Sequence, residues 1–106
     1  MSTPDDLLIR KFLDSLWLEK GLSQNTLDSY GRDLRTFAAW LETTDKSFTS
    51  VHREDLLAYL AFRMAGGLKS RSTARSLSCL RSLFRYLLRE HLISEDPSLR
   101  VDNPKL

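Results

Sequence analysis

Leu27, Tyr30, Leu34, Phe37 and Leu41 follow one another at alternating spacings of three and four. On a 3.6-residue period they line one face of a helix, and no strand offers them a common face. Similar spacing recurs in three further stretches, and no run alternates apolar with polar residues as a half-buried strand would. A chain of 106 residues has the size of one domain. Four amphipathic helices with short connections imply an all-α fold, a compact helical bundle.

The boundaries come from capping chemistry. Thr3-Pro4-Asp5-Asp6 opens the first helix: Thr caps, Pro fits the first helical position, and the acids suit the positive end of the dipole. Ile9, Phe12, Leu13 and Leu16 form its stripe, and Gly21 ends it as a left-handed cap. Leu7, Trp17 and Leu18 fall off the stripe; they either widen the core or contact another element. Ser23 caps the second helix, which is expected to end near Glu42 before the polar run Thr43-Thr44-Asp45-Lys46-Ser47. The third is expected over Arg53 to Ala65, with Leu56, Leu57, Leu60 and Met64 inward, Phe62 outward and Gly66-Gly67 as the stop. The fourth is expected from Ser70 as cap to about His91, with Ala74, Leu77, Leu80, Phe84, Leu87 and Leu88 inward. Asp96-Pro97 and Asn103-Pro104 then mark turns, and the tail from Ser94 reads as a linker with at most a short helical turn.

Several function classes fall away. A lone Cys79 cannot close an internal disulfide, and two histidines with one cysteine argue against structural zinc. No segment approaches the roughly 18 consecutive apolar residues of a membrane span. The acidic, amphipathic N-terminus is no signal peptide, so a cytoplasmic location and no membrane partner are expected. His52 and His91 lie on different elements, without metal-ligand spacing; His52 suits a weak cap and His91 a helix C-terminus. The phosphate-loop, dinucleotide, zinc-protease and nucleophile-elbow motifs are all missing. No catalytic residue, metal or cofactor is therefore expected.

The formal net charge of +2 conceals an uneven distribution. Residues 1–68 carry a net −2, residues 69–91 a net +5, and residues 92–106 a net −1. In the basic segment Arg71, Arg75, Ser78, Ser82, Arg85 and Arg89 step by four and three, on the side opposite the apolar stripe, with Arg81 flanking. Ordinary wet helix faces mix charge signs, because opposite pairs one turn apart stabilise them. This face has no acid, and its arginines repel one another unless a polyanion is present. Guanidinium forks suit phosphate and the guanine edge, and small Ser side chains allow close approach to a groove. Lys69-Ser70-Arg71-Ser72-Thr73 adds cations and hydroxyls at a helix N-terminus, where phosphate is attracted. Ser23-Gln24-Asn25-Thr26 opens the second helix, and Asn25, Asp28, Arg32 and Arg35 line its exposed side; Gln and Asn read adenine edges, though a cap with a wet face fits the same residues.

The order of residues is also familiar. Phe12-Leu13-Asp14-Ser15-Leu16-Trp17-Leu18-Glu19-Lys20-Gly21-Leu22-Ser23, then Asn25-Thr26-Leu27, Tyr30 and Arg32-Asp33-Leu34, resembles the start of the Xer tyrosine recombinases, with the XerD type as the nearest pattern. Arg63-Met64-Ala65-Gly66-Gly67, Ser72-Thr73-Ala74-Arg75-Ser76-Leu77-Ser78 and Arg81-Ser82-Leu83-Phe84-Arg85-Tyr86-Leu87 fit the same pattern, as does Pro104-Lys105-Leu106. The resemblance implies a four- to five-helix orthogonal, SAM-like core-binding domain over residues 1–93. Residues 94–106 would start a linker to a catalytic domain that this chain lacks. It implies double-stranded DNA as partner, with the second and fourth helices toward the major groove. Sister recombinase subunits and the chain's own catalytic domain would complete a tetramer on DNA, of the chromosome dimer resolution type.

The family's His-x-x-Arg motif and tyrosine nucleophile cannot be mapped here, since neither His52 nor His91 has Arg three positions on. The chain is therefore expected not to be an enzyme by itself. The candidate DNA-binding residues are Gln24, Asn25, Arg32, Arg35, Lys69, Arg71, Ser72, Thr73, Arg75, Ser76 and Arg85. The alternative reading is a helical protein-interaction module whose basic face meets an acidic partner.

Overall fold

In the computed structural model the described residues are 4–101, and all regular structure among them is helical. The order is α1 (Pro4–Lys20), α2 (Gln24–Thr43), a 3-10 turn (Phe48–Ser50), α3 (Arg53–Ala65) and α4 (Ser70–Arg89). Thr3, Asn103-Pro104 and the closing Pro104-Lys105-Leu106 lie outside the described residues. The chain divides into two compact units between Phe48 and Thr49.

In the first unit α1 packs on α2. Ile9, Phe12 and Leu16 are buried on α1, with Leu27, Leu34, Phe37 and Leu41 on α2. Leu13 and Tyr30 are half-buried, and Leu7, Trp17 and Leu18 are exposed rather than widening the core. Gly31 of α2 lies on the contacting side: a methyl there would meet Leu13 Cδ1 at 3.4 Å and the Arg35 guanidinium at 3.1 Å. Phe48 closes the unit, its ring stacked on Phe37 with centroids 5.8 Å apart. Its backbone N–H donates to buried Asp5 Oδ1 at 3.2 Å. Asp5 thus serves a partner 43 residues away as well as the start of its own helix. Burial pushes its carboxyl above the usual value, the charges of Asp6 and Glu42 push the same way, and the Phe48 N–H pulls back.

In the second unit α3 packs on α4. The inward face of α3 is Leu56, Tyr59 and Leu60; Leu57 and Met64, expected inside, are exposed. Adjacent leucines at 56 and 57 fit two registers equally, and burying the large ring of Tyr59 selects the register that turns Leu57 outward. The inward face of α4 is wider than its leucine spacing implies. It takes in Thr73, Ser76, Cys79 and Leu83 besides Leu77, Leu80, Phe84 and Leu87, whereas Leu88 is exposed. Residues 94–101, expected to begin a linker, carry buried Ser98 and Val101, and Arg81 donates to the Val101 carbonyl. Asp96 accepts from both the Ser98 N–H (2.9 Å) and hydroxyl (2.6 Å), which shapes this turn.

Three helices end in the same way. After α2, Lys46 N–H bonds to Leu41 O at 3.0 Å; after α3, Leu68 N–H to Arg63 O at 3.0 Å; after α4, Leu92 N–H to Leu87 O at 2.9 Å. This six-to-one closure needs a left-handed residue just before the donor. Gly67 supplies it after α3 at φ 97°, but Asp45 (59°) and His91 (60°) supply it after α2 and α4.

Candidate nucleic-acid interface

The fourth helix starts one residue earlier than its hydroxyl suggests: Lys69 is the cap and Ser70 the first helical residue. The cap contributes no side-chain hydrogen bond, so the first-turn amides are left to other partners. Beyond that turn the outward face carries Arg71, Arg75, Ser78, Arg85 and Arg89, all exposed, with Ser82 half-buried. No acid interrupts the face between Lys69 and Arg89. The buried row on the other side explains the arrangement, because each residue of the basic row falls about half a turn from it.

Not every cation of α4 is equally available. Arg81 is half-buried and held by the Val101 carbonyl. Arg89 Nε lies 3.6 Å from Glu90 Oε2, and its guanidinium stands 5.4 Å from the Tyr86 ring centroid. Lys69, Arg71 and Arg85 are further exposed cations of this face, and Arg75 is exposed beside them with an interaction of its own.

Two of the candidate hydroxyls are not on this face. Thr73 is buried, with its hydroxyl donating to the Lys69 carbonyl at 3.0 Å, and Ser76 is 4% exposed. Both share the inward row with Leu77 and Leu80, since 73, 76, 77 and 80 repeat the helical three-and-four step. Neither can reach a ligand on the outward face. Ser72 is half-buried. Ser78 and Ser82, which the spacing places among the arginines, are the better hydroxyl candidates.

On α2, Ser23 caps as expected, its Oγ accepting from Thr26 N–H at 3.2 Å. Gln24, Asn25, Asp28, Arg32 and Arg35 are exposed. Gln24 Nε2 donates to Asp28 Oδ1 at 2.8 Å, and Arg32 Nη2 donates to Ser29 Oγ at 3.5 Å. A Gln and an Asp one turn apart are the sequence signal for this pair. The α2 face is thus polar and mixed in sign, and the α4 face is cationic.

Among the described residues no three His, Cys, Asp or Glu side chains gather as metal ligands would, and Cys79 is buried. No helix among them is long and apolar enough to cross a membrane.

Comparison with known proteins gives a single picture. Residues 9–91 match the family described as "Phage integrase, N-terminal SAM-like domain". The whole chain is 51% identical to a protein named Tyrosine recombinase XerD from Pseudomonas aeruginosa, and 53% identical to the protein of that name from Pseudomonas putida. It is 44% identical to the Yersinia pestis protein of that name. In each case it spans 36% of the relative's length, about a third of these curated proteins.

Proposed function

Because the chain belongs to the phage integrase N-terminal SAM-like domain family, we propose that it is the DNA core-binding module of a site-specific tyrosine recombinase. The observation that carries this reading is the exposed, acid-free face of α4. A row of like charges is costly in isolation and favourable against phosphates. Lys69, Arg71, Arg75 and Arg85 contact phosphate or guanine, and Ser72, Ser78 and Ser82 approach the backbone. Gln24, Asn25, Arg32 and Arg35 supply the contacts of α2. Each of the two helices presents its outward face to the major groove of double-stranded DNA.

The names of the relatives support a whole protein that recombines DNA. In that protein this stretch clamps and positions the duplex, with residues 1–93 as the binding domain and 94–106 leading toward a catalytic domain. Sister subunits would assemble with it as a tetramer on paired sites, for chromosome dimer resolution. Within residues 1–106 no group is assigned to bond breaking.

An NMR titration of the chain with duplex DNA at low salt tests the reading. Shifts should cluster on the outward residues of α2 and α4. Absence of shifts there at low salt would overturn it. A second reading has one observation in its favour. Arg85 borders a groove of about 960 Å³ that also exposes Leu88, Leu92 and Leu99 and carries Arg53 and Arg100 beside Glu54, Glu95 and Asp96; its leucines with Arg85 suit an acidic amphipathic segment of a protein partner. Shifts confined to that groove on adding acidic peptide, with none from DNA, would favour it.

A further inference from the structure

Asp28 is out of place on a surface meant for phosphate. It is exposed on the same side of α2 as Gln24, Asn25, Arg32 and Arg35. A carboxylate there repels a DNA backbone and must be matched by something that compensates. The nearby arginine one turn on does not take it up, because Arg32 donates to Ser29. The carboxylate instead accepts from Gln24 Nε2 at 2.8 Å.

That bond fixes the direction of the Gln24 amide. An ionised carboxylate has acceptors only, so the amide atom facing it must be the nitrogen. The Oε1 atom is thereby turned away from Asp28 as an acceptor, and one N–H of the amide remains. Gln24 is also the first residue of α2, directly after the Ser23 cap. Side chains at the start of a helix are the ones that meet base edges when a helix enters the major groove.

We infer that Gln24 and Asp28 act together as a reader of an exocyclic amino group on the major-groove edge of adenine or cytosine, with Asp28 positioning the Gln24 amide. This rests on the DNA-binding reading above. The amino group of either base donates to Oε1, and the carboxylate behind the amide strengthens that acceptor by polarising it. Guanine and thymine offer O6 or O4 at that edge, so oxygen would face oxygen with a negative charge behind it. The free N–H can add a bond to adenine N7, so adenine gains two bonds where cytosine gains one.

The test is selection of bound duplexes from a pool with randomised base pairs, using the 106-residue chain. The wild type, Asp28→Asn and Asp28→Glu are compared, with circular dichroism to verify folding. Asn matches Asp in size but can donate as well as accept, so the Gln24 amide is no longer held in one orientation and the charge is lost. The wild type should enrich adenine or cytosine at one position roughly fivefold or more, the lower end of discrimination for a good base contact. Asp28→Asn should lose that enrichment while binding duplexes with guanine or thymine at that position as tightly or more tightly, and Asp28→Glu should retain it. Enrichment that survives in Asp28→Asn overturns the inference, as does an equal fall in affinity for every duplex. A wild type that binds duplex DNA with no preference for adenine or cytosine overturns it too and leaves the DNA reading standing. A wild type that binds no duplex at low salt overturns the DNA reading itself.

Discussion

Replacing Arg71 and Arg85 by Ala, singly and together, should change how steeply DNA binding falls with salt. Besides Arg89, four cations are exposed along α4 and its cap: Lys69, Arg71, Arg75 and Arg85. Each cation that neutralises a phosphate contributes about −0.9 to the slope of log affinity against log salt. Four such contacts contribute about −3.6 to the slope, which alone weakens binding about 150-fold as salt rises from about 50 to about 200 mM. Arg71→Ala should reduce that contribution to about −2.7 and its loss to about 40-fold; the double variant should reach about −1.8 and about 12-fold, with any part from Arg32 and Arg35 of α2 unchanged. Fluorescence anisotropy of a labelled duplex across a salt series measures all three. Both arginines are exposed, so stability should stay within about 0.5 kcal/mol of the wild type. Arg10→Ala on α1, an exposed cation outside both faces, should leave the slope unchanged. A wild-type slope shallower than about −1, or one that the double variant does not alter, would refute the reasoning.

Two further substitutions probe the scaffold. Asp5→Asn should stabilise the chain at pH 7 and flatten its stability between pH 4 and 7, read by denaturant melts. The buried carboxyl is raised above its usual value, so the native state favours the proton. That contribution is complete below the unfolded value and is lost as pH rises through the native one; a steeper profile in the variant would contradict this. His91→Gly should stabilise by about 1 kcal/mol, because a residue with a Cβ at φ 60° is strained and Gly is not. Asp45→Gly should gain less, since Asp tolerates the left-handed region better. Equal or negative effects in thermal melts would show that the two turns are not strained.

What the sequence makes legible depends on whether the signal is local. Ser23, Gly21 and Gly66-Gly67 announce helix ends because hydroxyl caps and left-handed glycines act within a turn, and the structure places the ends there. His91 and Asp45 close helices with the same geometry, yet no residue type announces it. The spacing puts Leu56 and Leu57 both on the inward face of α3, and tertiary packing of Tyr59 turns Leu57 outward. Asp5 looked like a dipole partner, since its bond to Phe48 joins residues distant in sequence. For the candidate site, the spacing of Arg71, Arg75 and Arg85 correctly predicted one exposed row. The same spacing, applied to Thr73 and Ser76, puts them in the leucine row; polarity alone had suggested otherwise. Spacing alone puts Arg81 at the flank of the row, and only the folded tail shows that it is engaged.

The missing side chain at Gly31 bears on Arg35. With no methyl beneath it, the guanidinium settles one turn back along α2, where a Gly31 Cβ would lie 3.1 Å from Nη2. A long side chain that already rests in one place has less rotational freedom to surrender when an anion arrives. Gly31 thus weakens the helix in which it sits, by roughly 1 kcal/mol relative to Ala, and leaves Arg35 partly preorganised. The cost is met once, during folding, rather than at each encounter with a ligand.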